Sequence, residues 1–224
     1  MTIGICNQQL LFVRINNLSN FQFDNHLTLE SSASDLEICA MQCEIESTCL
    51  SVQYNSSTNE CVLLRTVHYS SLKAVQVDGW NYFVRTGGRC QEGFSDARTL
   101  NICFTFVGKH KVSEGRKECS IRNSSIIALR SNEEEDLLER LMFSLFDNSS
   151  KSFANKPYIQ GRWNGSHWVL DDGKPIEYNI EWTPRTDLSE ANYNDNLRYF
   201  PGRNKIGFCN GNLIRPIFCT YDII

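Results

Sequence analysis

The stretch Ser34-Asp35-Leu36-Glu37-Ile38-Cys39-Ala40-Met41-Gln42-Cys43-Glu44-Ile45-Glu46 reads as one helix carrying two cysteines on a single face. Ser34 and Glu37 suit a capping box, in which the serine side chain and the glutamate satisfy each other's free amides. Cys39 and Cys43 lie four residues apart and therefore share a face. Cys49 follows just past the helix end at about Glu46, so Cys43 can close a tight loop onto it. Cys61 follows the turn-rich segment Asn55 to Asn59 and leads into the strand-like Val62-Leu63-Leu64, where a Cys39–Cys61 bond would staple helix to sheet. Each such crosslink contributes roughly 2–4 kcal/mol, a large share of a small domain's stability. The four thiols lack the paired C-x2-C knuckles of common zinc sites, so they read as disulfides and no metal is expected.

The whole chain supports that chemistry. Ten cysteines in 224 residues accompany five Asn-x-Ser sequons, at Asn17, Asn55, Asn123, Asn148 and Asn164. Together they point to an oxidising lumen or the cell exterior, hence to a secreted protein or one on the extracellular face of the cell. Net charge is −4 with no long run of either sign, which excludes a nucleic-acid-binding surface. No stretch approaches the ~20 apolar residues that span a bilayer. The start, Met1-Thr2-Ile3-Gly4-Ile5-Cys6, lacks the regions of a signal peptide, so a signal is expected to have been removed or to lie outside this sequence.

The cysteines form two neighbourhoods: Cys6, Cys39, Cys43, Cys49 and Cys61, then Cys103, Cys119, Cys209 and Cys219, with Cys90 at the seam. Arg85-Thr86-Gly87-Gly88-Arg89 follows the aromatic run Trp80-Asn81-Tyr82-Phe83 and suggests a domain boundary near residue 88. The C-x3-C helix, the C-x5 spacing, Ser51-Val52-Gln53-Tyr54 and the later Cys61-Val62-Leu63-Leu64 resemble the PAN/apple domain over residues 6–88. That resemblance implies the same two inner bonds. Some members add a bond between the domain ends, a role Cys6 and Cys90 could fill.

In residues 89–224, Cys90-Gln91-Glu92-Gly93-Phe94 leads to Cys103-Phe104-Thr105-Phe106. A short helix with Glu118-Cys119 and the strand-like Ile126-Ile127-Ala128-Leu129 come next. Ser131-Asn132-Glu133-Glu134 is a second capping box, and Glu133 to Asp136 place negative charge at the positive end of that helix. Leu137, Leu138, Leu141, Met142 and Leu145 recur at helical spacing and make one buried face. Then follow Tyr158-Ile159-Gln160-Gly161, Trp168-Val169-Leu170-Asp171-Asp172-Gly173, Tyr178-Asn179-Ile180-Glu181-Trp182, Cys209 and Ile217-Phe218-Cys219. This order closely resembles a C-type lectin-like domain. The resemblance implies a Cys119–Cys219 bond, worth on the order of 4.7 kcal/mol for a loop of about 100 residues, and a Cys90–Cys103 hairpin bond. The fold class that follows is α+β: two disulfide-stapled domains, a helix on a sheet, then a double-loop domain with two helices and short antiparallel sheets.

The sequence also departs from that family. Sugar-binding members hold calcium with oxygen ligands from Glu-Pro-Asn or Gln-Pro-Asp and Trp-Asn-Asp motifs. Here the corresponding segments read Trp182-Thr183-Pro184-Arg185-Thr186-Asp187 and Asn204-Lys205-Ile206-Gly207-Phe208-Cys209, so neither motif is present. The cysteine that pairs with the penultimate one is missing near Tyr193. Cys6 and Cys209 are left over if Cys90 bonds Cys103; Cys103 and Cys209 are left if Cys6 takes Cys90. A disulfide-linked dimer stays open on the first count. Oxygens at Glu190, Asn192, Asn194, Asp195 and Asn196 could rebuild a calcium site, but no glycine-ordered repeat supports a fixed geometry, and a solvated polar loop is expected.

The ligand surface is expected on the long irregular stretch from Thr183 to Phe208, through Arg185, Asp187, Glu190, Asn192, Asn194, Asp195, Arg198 and Arg203, mixed with Tyr199 and Phe200, tyrosine and arginine being favoured anchors at protein interfaces. The partner is a glycan or an extracellular protein, and no cofactor is called for. Of the four histidines, His110 sits between Lys109 and Lys111 and reads as exposed, while His167 neighbours a sequon. No serine elbow, His-Glu-x-x-His or phosphate loop occurs, and Asp171-Asp172-Gly173 is turn chemistry, so no enzyme is expected. A structural glycoprotein of matrix or coat that self-associates through both domains is the alternative.

Overall fold

The computed structural model describes residues 2–3, 10–23, 28–72, 74–146, 155–177, 181–182, 195–201 and 205–223. The chain divides into two compact units. The first comprises Met1–Cys103 with Phe143–Asp147 and Asp222–Ile224, and the second Phe104–Met142 with Asn148–Tyr221.

In the first unit, strands β1 (Thr2–Ile3), β2 (Leu10–Arg14), β3 (Phe21–Phe23) and β4 (Thr28–Ser32) precede helix α1 (Leu36–Ile45). Strands β5 (Ser51–Asn55), β6 (Glu60–Leu64), β7 (Ala74–Gln76), β8 (Trp80–Gly87) and β9 (Ser95–Ala97) follow it. An antiparallel sheet runs β1-β2-β8-β5-β6-β4, with β9 joined to β8 at Thr86 and Ser95. β3 and β7 pair separately.

The central strand β5 is buried throughout, because both of its faces are covered. Val52 and Tyr54 join a core with Cys39, Ala40, Cys43, Cys61, Leu63 and Phe83. Disulfides Cys39–Cys61 and Cys43–Cys49 pin α1 to this layer. On the other face, the Gln53 side chain bridges to β3: its Oε1 accepts from Phe23 N at 3.1 Å and its Nε2 donates to Phe21 O at 2.7 Å. Tyr82, opposite Gln53, is buried, which pushes its hydroxyl pKa up.

α1 starts one residue later than the capping box placed it. Asp35 is the N-cap, its Oδ1 accepting from Ile38 N at 2.8 Å, and Ser34 Oγ donates to Asp35 Oδ2. A carboxylate is the stronger acceptor at a positive helix end, so aspartate takes the position from its serine neighbour. At the other end, Arg98 donates to the carbonyls of Cys43 (2.8 Å), Glu44 and Glu46 (2.6 Å). Those groups lack helical donors, and a cation there also meets the negative end of the helix dipole. Arg98 also pairs with Glu44 at 3.2 Å, and Glu44 with Arg85 at 2.9 Å. Asp96, 1% exposed, sits 3.6 Å from Arg85 and 3.0 Å from Arg89.

The second unit holds all or most of β10 (Ile102–His110), α2 (Val112–Ile121), β11 (Ser125–Ile126) and α3 (Asn132–Leu145). Strands β12 (Tyr158–Trp163), β13 (Trp168–Val169), β14 (Glu181–Trp182), β15 (Asp195–Phe200), β16 (Lys205–Asn210) and β17 (Arg215–Asp222) complete it. β17 lies between β11 and β10; a second sheet runs β13-β12-β15-β16-β14. Its pairs are antiparallel as expected except β14–β16, which is parallel. The Cys119–Cys219 disulfide joins α2 to β17. One turn earlier on the same face, Gly115 lets Ile217 approach so closely that an added Cβ would stand 2.7 Å from its Cδ1. The Cys90–Cys103 disulfide closes the hairpin at the end of the first unit.

Of the expected strand 126–129 only Ile126 pairs as a strand, together with Ser125 before it, although Ile127, Ala128 and Leu129 are buried. Ile127 explains the break, for its N–H donates to Phe218 O while its carbonyl accepts from Gln160 N, so the chain leaves one sheet to bond the other. In α3 the cap is as expected at Ser131, whose Oγ accepts from Glu134 N at 3.3 Å. The Glu134 carboxylate turns instead to Arg130, reaching its backbone N at 2.5 Å and its guanidinium at 2.7 Å. Leu137, Leu138, Leu141, Met142 and Leu145 are buried.

Replacing Arg98 with alanine removes the side-chain donor from the Cys43, Glu44 and Glu46 carbonyls, of which Glu46 keeps the Cys49 N–H, and should lower unfolding stability by about 1–3 kcal/mol. A denaturant melt with disulfides intact measures it; an unchanged midpoint would show that solvent replaces the guanidinium at no cost.

Candidate functional site

Within the stretch proposed as the ligand surface, residues 195–200 and 205–210 form paired strands, so it is irregular only in part. β15 pairs with β16 from Asp195↔Asn210 to Phe200↔Lys205, and with β12 at Tyr158↔Arg198 and Ile159↔Leu197. Leu197 and Tyr199 alternate into the core at 0% exposure, while Asn196 and Arg198 between them are half-buried. This is the period-two pattern of a strand with one buried face.

The aromatic residues expected on that surface are core residues. Tyr199 is buried and its hydroxyl donates to Glu135 Oε1 at 2.9 Å. Phe200 is buried too, with Lys156 Nζ 4.2 Å and the Arg198 guanidinium 4.8 Å from its ring centre. A ring that holds two cations over its π system fixes where those charges stand. Arg198 is thus held in place on β15, and Asp195 opens the same strand. Arg185, Asp187, Glu190, Asn192, Asn194 and Arg203 lie outside the described residues, and with the Asp195 side chain so do four of the five oxygen-bearing side chains of the rebuilt calcium set. At the segment lacking Trp-Asn-Asp, Lys205 begins β16 and Ile206 is buried.

Other side chains singled out have structural partners. Asp171 pairs with Arg116 at 3.0 Å, and Leu170 O accepts from Gly173 N across the turn. The Lys174 amide and ammonium hold the Asp172 carboxyl below the usual range. His110 is half-buried rather than exposed, because its Nε2 turns back to Val107 O at 2.8 Å. His68 is buried, stacked on Phe23 with ring centres 3.8 Å apart. Since Cys90 bonds Cys103, the alternatives that pair Cys6 with Cys90 or Cys103 with Cys209 fall away. Cys6 and the Cys209 side chain lie outside the described residues.

The sequons divide by exposure. Asn17, Asn123 and Asn164 are exposed, and Asn148 lies outside the described residues. Asn55 differs from these: at 5% exposure it ends β5, its Oδ1 accepts from Ser57 N at 2.9 Å, and its amide packs against Gly79. Enzymatic deglycosylation followed by peptide mass spectrometry should show occupancy at Asn17, Asn123 or Asn164 and none at Asn55; a modified Asn55 would contradict the burial found here.

The chain was compared with known proteins. Residues 6–86 match the PAN domain. No curated protein sequence matches the chain. Among solved structures, the mouse scavenger receptor C-type lectin carbohydrate-recognition domain is 14% identical, covering 60% of this chain and 99% of that one with a TM-score of 0.46. SPL-1 in complex with GlcNAc is 19% identical over 60% of this chain and 96% of that one, TM-score 0.47. A calcium-independent type II antifreeze protein is 14% identical over 60% and 95%, TM-score 0.47. Residues 6–86 thus match the model of the PAN domain, and the solved structures similar to this chain, among them C-type lectin carbohydrate-recognition domains, cover about 60% of it.

Proposed function

We propose that this is an extracellular recognition protein that binds a glycan or protein ligand through residues 89–224, without the calcium chemistry usual for sugar-binding members of the family it resembles. The observation that carries this reading is the β15–β16 hairpin. Its inward residues Leu197 and Tyr199 are fixed in the core, and β14 and β15 flank the segment 183–194, which contains Arg185, Asp187, Glu190, Asn192 and Asn194. A rigid scaffold that carries a long polar connection is the usual build of a binding surface. Arg198, anchored on Phe200, offers a preorganised guanidinium at its edge. Ile206 in the core supplies no oxygen where calcium ligands would be needed. Four disulfides support an oxidising, extracellular setting.

Calorimetric titration of the oxidised, glycosylated protein with calcium is expected to give no saturable heat, and a saturable site would sink the calcium-independent reading. On a glycan array and against candidate protein ligands in chelator, Arg198→Ala should weaken binding at least about tenfold with an unchanged far-UV spectrum. Full affinity in that variant would move the site away from β15.

A further inference from the structure

Helix α1 has its apolar residues the wrong way round for a helix lying on a single core. Its inward face is small, with Cys39, Ala40 and Cys43 at 0% exposure. Its outward face carries the large aliphatics Ile38, Met41 and Ile45, exposed by 39, 48 and 83%. These three recur at i, i+3 and i+7 and therefore form one stripe. Glu37 is the charged residue among the exposed positions of the helix, where a water-facing side ordinarily carries mostly polar ones. An apolar stripe of this kind marks a contact surface.

We propose that this face is where a second copy of the chain docks, its α1 antiparallel to the first, forming a weak and reversible two-fold dimer. The stripe is nearly symmetric about Met41, with Ile38 three residues before it and Ile45 four after. Antiparallel pairing therefore sets Met41 against Met41 and Ile38 against Ile45 in both directions, as a two-fold contact requires. The ends are complementary in charge. Glu37 marks the N-terminal end, and exposed Arg65 lies near Glu46 at the C-terminal end. The Glu46 carboxyl is held below its usual range first by the Thr48 hydroxyl and amide, with Arg65 adding to the effect. In the antiparallel arrangement Glu37 of one copy meets Arg65 of the other, and the two helix dipoles oppose. One short helix from each copy buries less than the roughly 1,200 Å² of a standard interface, so the dimer is concentration-dependent. The contact is built from α1 and Arg65, none of which the ligand reading invokes.

Sedimentation velocity on the whole secreted chain over a concentration series tests it. The expected result is a monomer–dimer equilibrium that is non-covalent on a non-reducing gel. Ile45→Glu should raise the dissociation constant at least about tenfold while leaving the thermal melt unchanged. Glu37→Arg and Arg65→Glu should each weaken the dimer, and the double swap should restore it, since the pair is rebuilt with reversed sign. A monomer at every concentration, a dimer indifferent to Ile45→Glu, a covalent dimer, or a double swap no better than the singles would each overturn the proposal.

Discussion

In each unit one buried disulfide bolts a helix to the sheet beneath it: Cys39–Cys61 joins α1 to β6, and Cys119–Cys219 joins α2 to β17. The bonded cysteines are 0–2% exposed, so these bonds sit in the cores. Each bond holds a helix Cα within 5.7 Å (first) or 5.2 Å (second) of a strand Cα, the ordinary reach of a disulfide, and small neighbours suit that close approach. Ala40 beside Cys39 and Gly115 beside Cys119 are the consequence. Much of the cohesion that a larger domain draws from apolar area comes here from constraining the unfolded chain.

A short inward face also changes what the rest of α1 does. With Cys39, Ala40 and Cys43 filling the close approach, the helix is left to anchor its ends by polar means. Asp35 takes the first turn and Arg98 the last. The Arg98 guanidinium is pulled below its normal basicity, by burial first and by Arg85 next, while Glu44 and Asp96 oppose that. Buried charges of this sort hold only when each is matched, which is why Glu44, Arg85, Arg89, Asp96 and Arg98 come as a set.

Local signals were legible in the sequence and distant ones were not. The α1 cysteine face, the α3 apolar stripe and the Asp171-Asp172-Gly173 turn are read from spacing and turn chemistry within a few residues. Cys119–Cys219 and Cys90–Cys103 came only through family resemblance, since spacing alone cannot choose partners among ten thiols. The β15–β16 hairpin was missed because Arg198, Tyr199 and Phe200 read as exposed surface residues, although Leu197 and Tyr199 already alternate with polar residues. Ser34 and Asp35 both suit a cap, and geometry decided between them. Nothing near residue 98 hints that its guanidinium serves a helix that ends at Ile45; that link exists only in three dimensions.

Gln53 shows how narrow such a link can be. Its amide stands in for a stretch of backbone, one oxygen for the Phe23 N–H and one NH₂ for the Phe21 carbonyl, and joins β3 to β5 in a buried site. The orientation of that amide is dictated by its two partners. Every amino acid one nucleotide away from a glutamine codon fails the requirement. Ionised glutamate cannot donate, lysine and arginine cannot accept, leucine and proline can do neither, and histidine is too short to reach both partners along one axis. Any single-base replacement at this position therefore leaves at least one of the two backbone groups of β3 without its present partner.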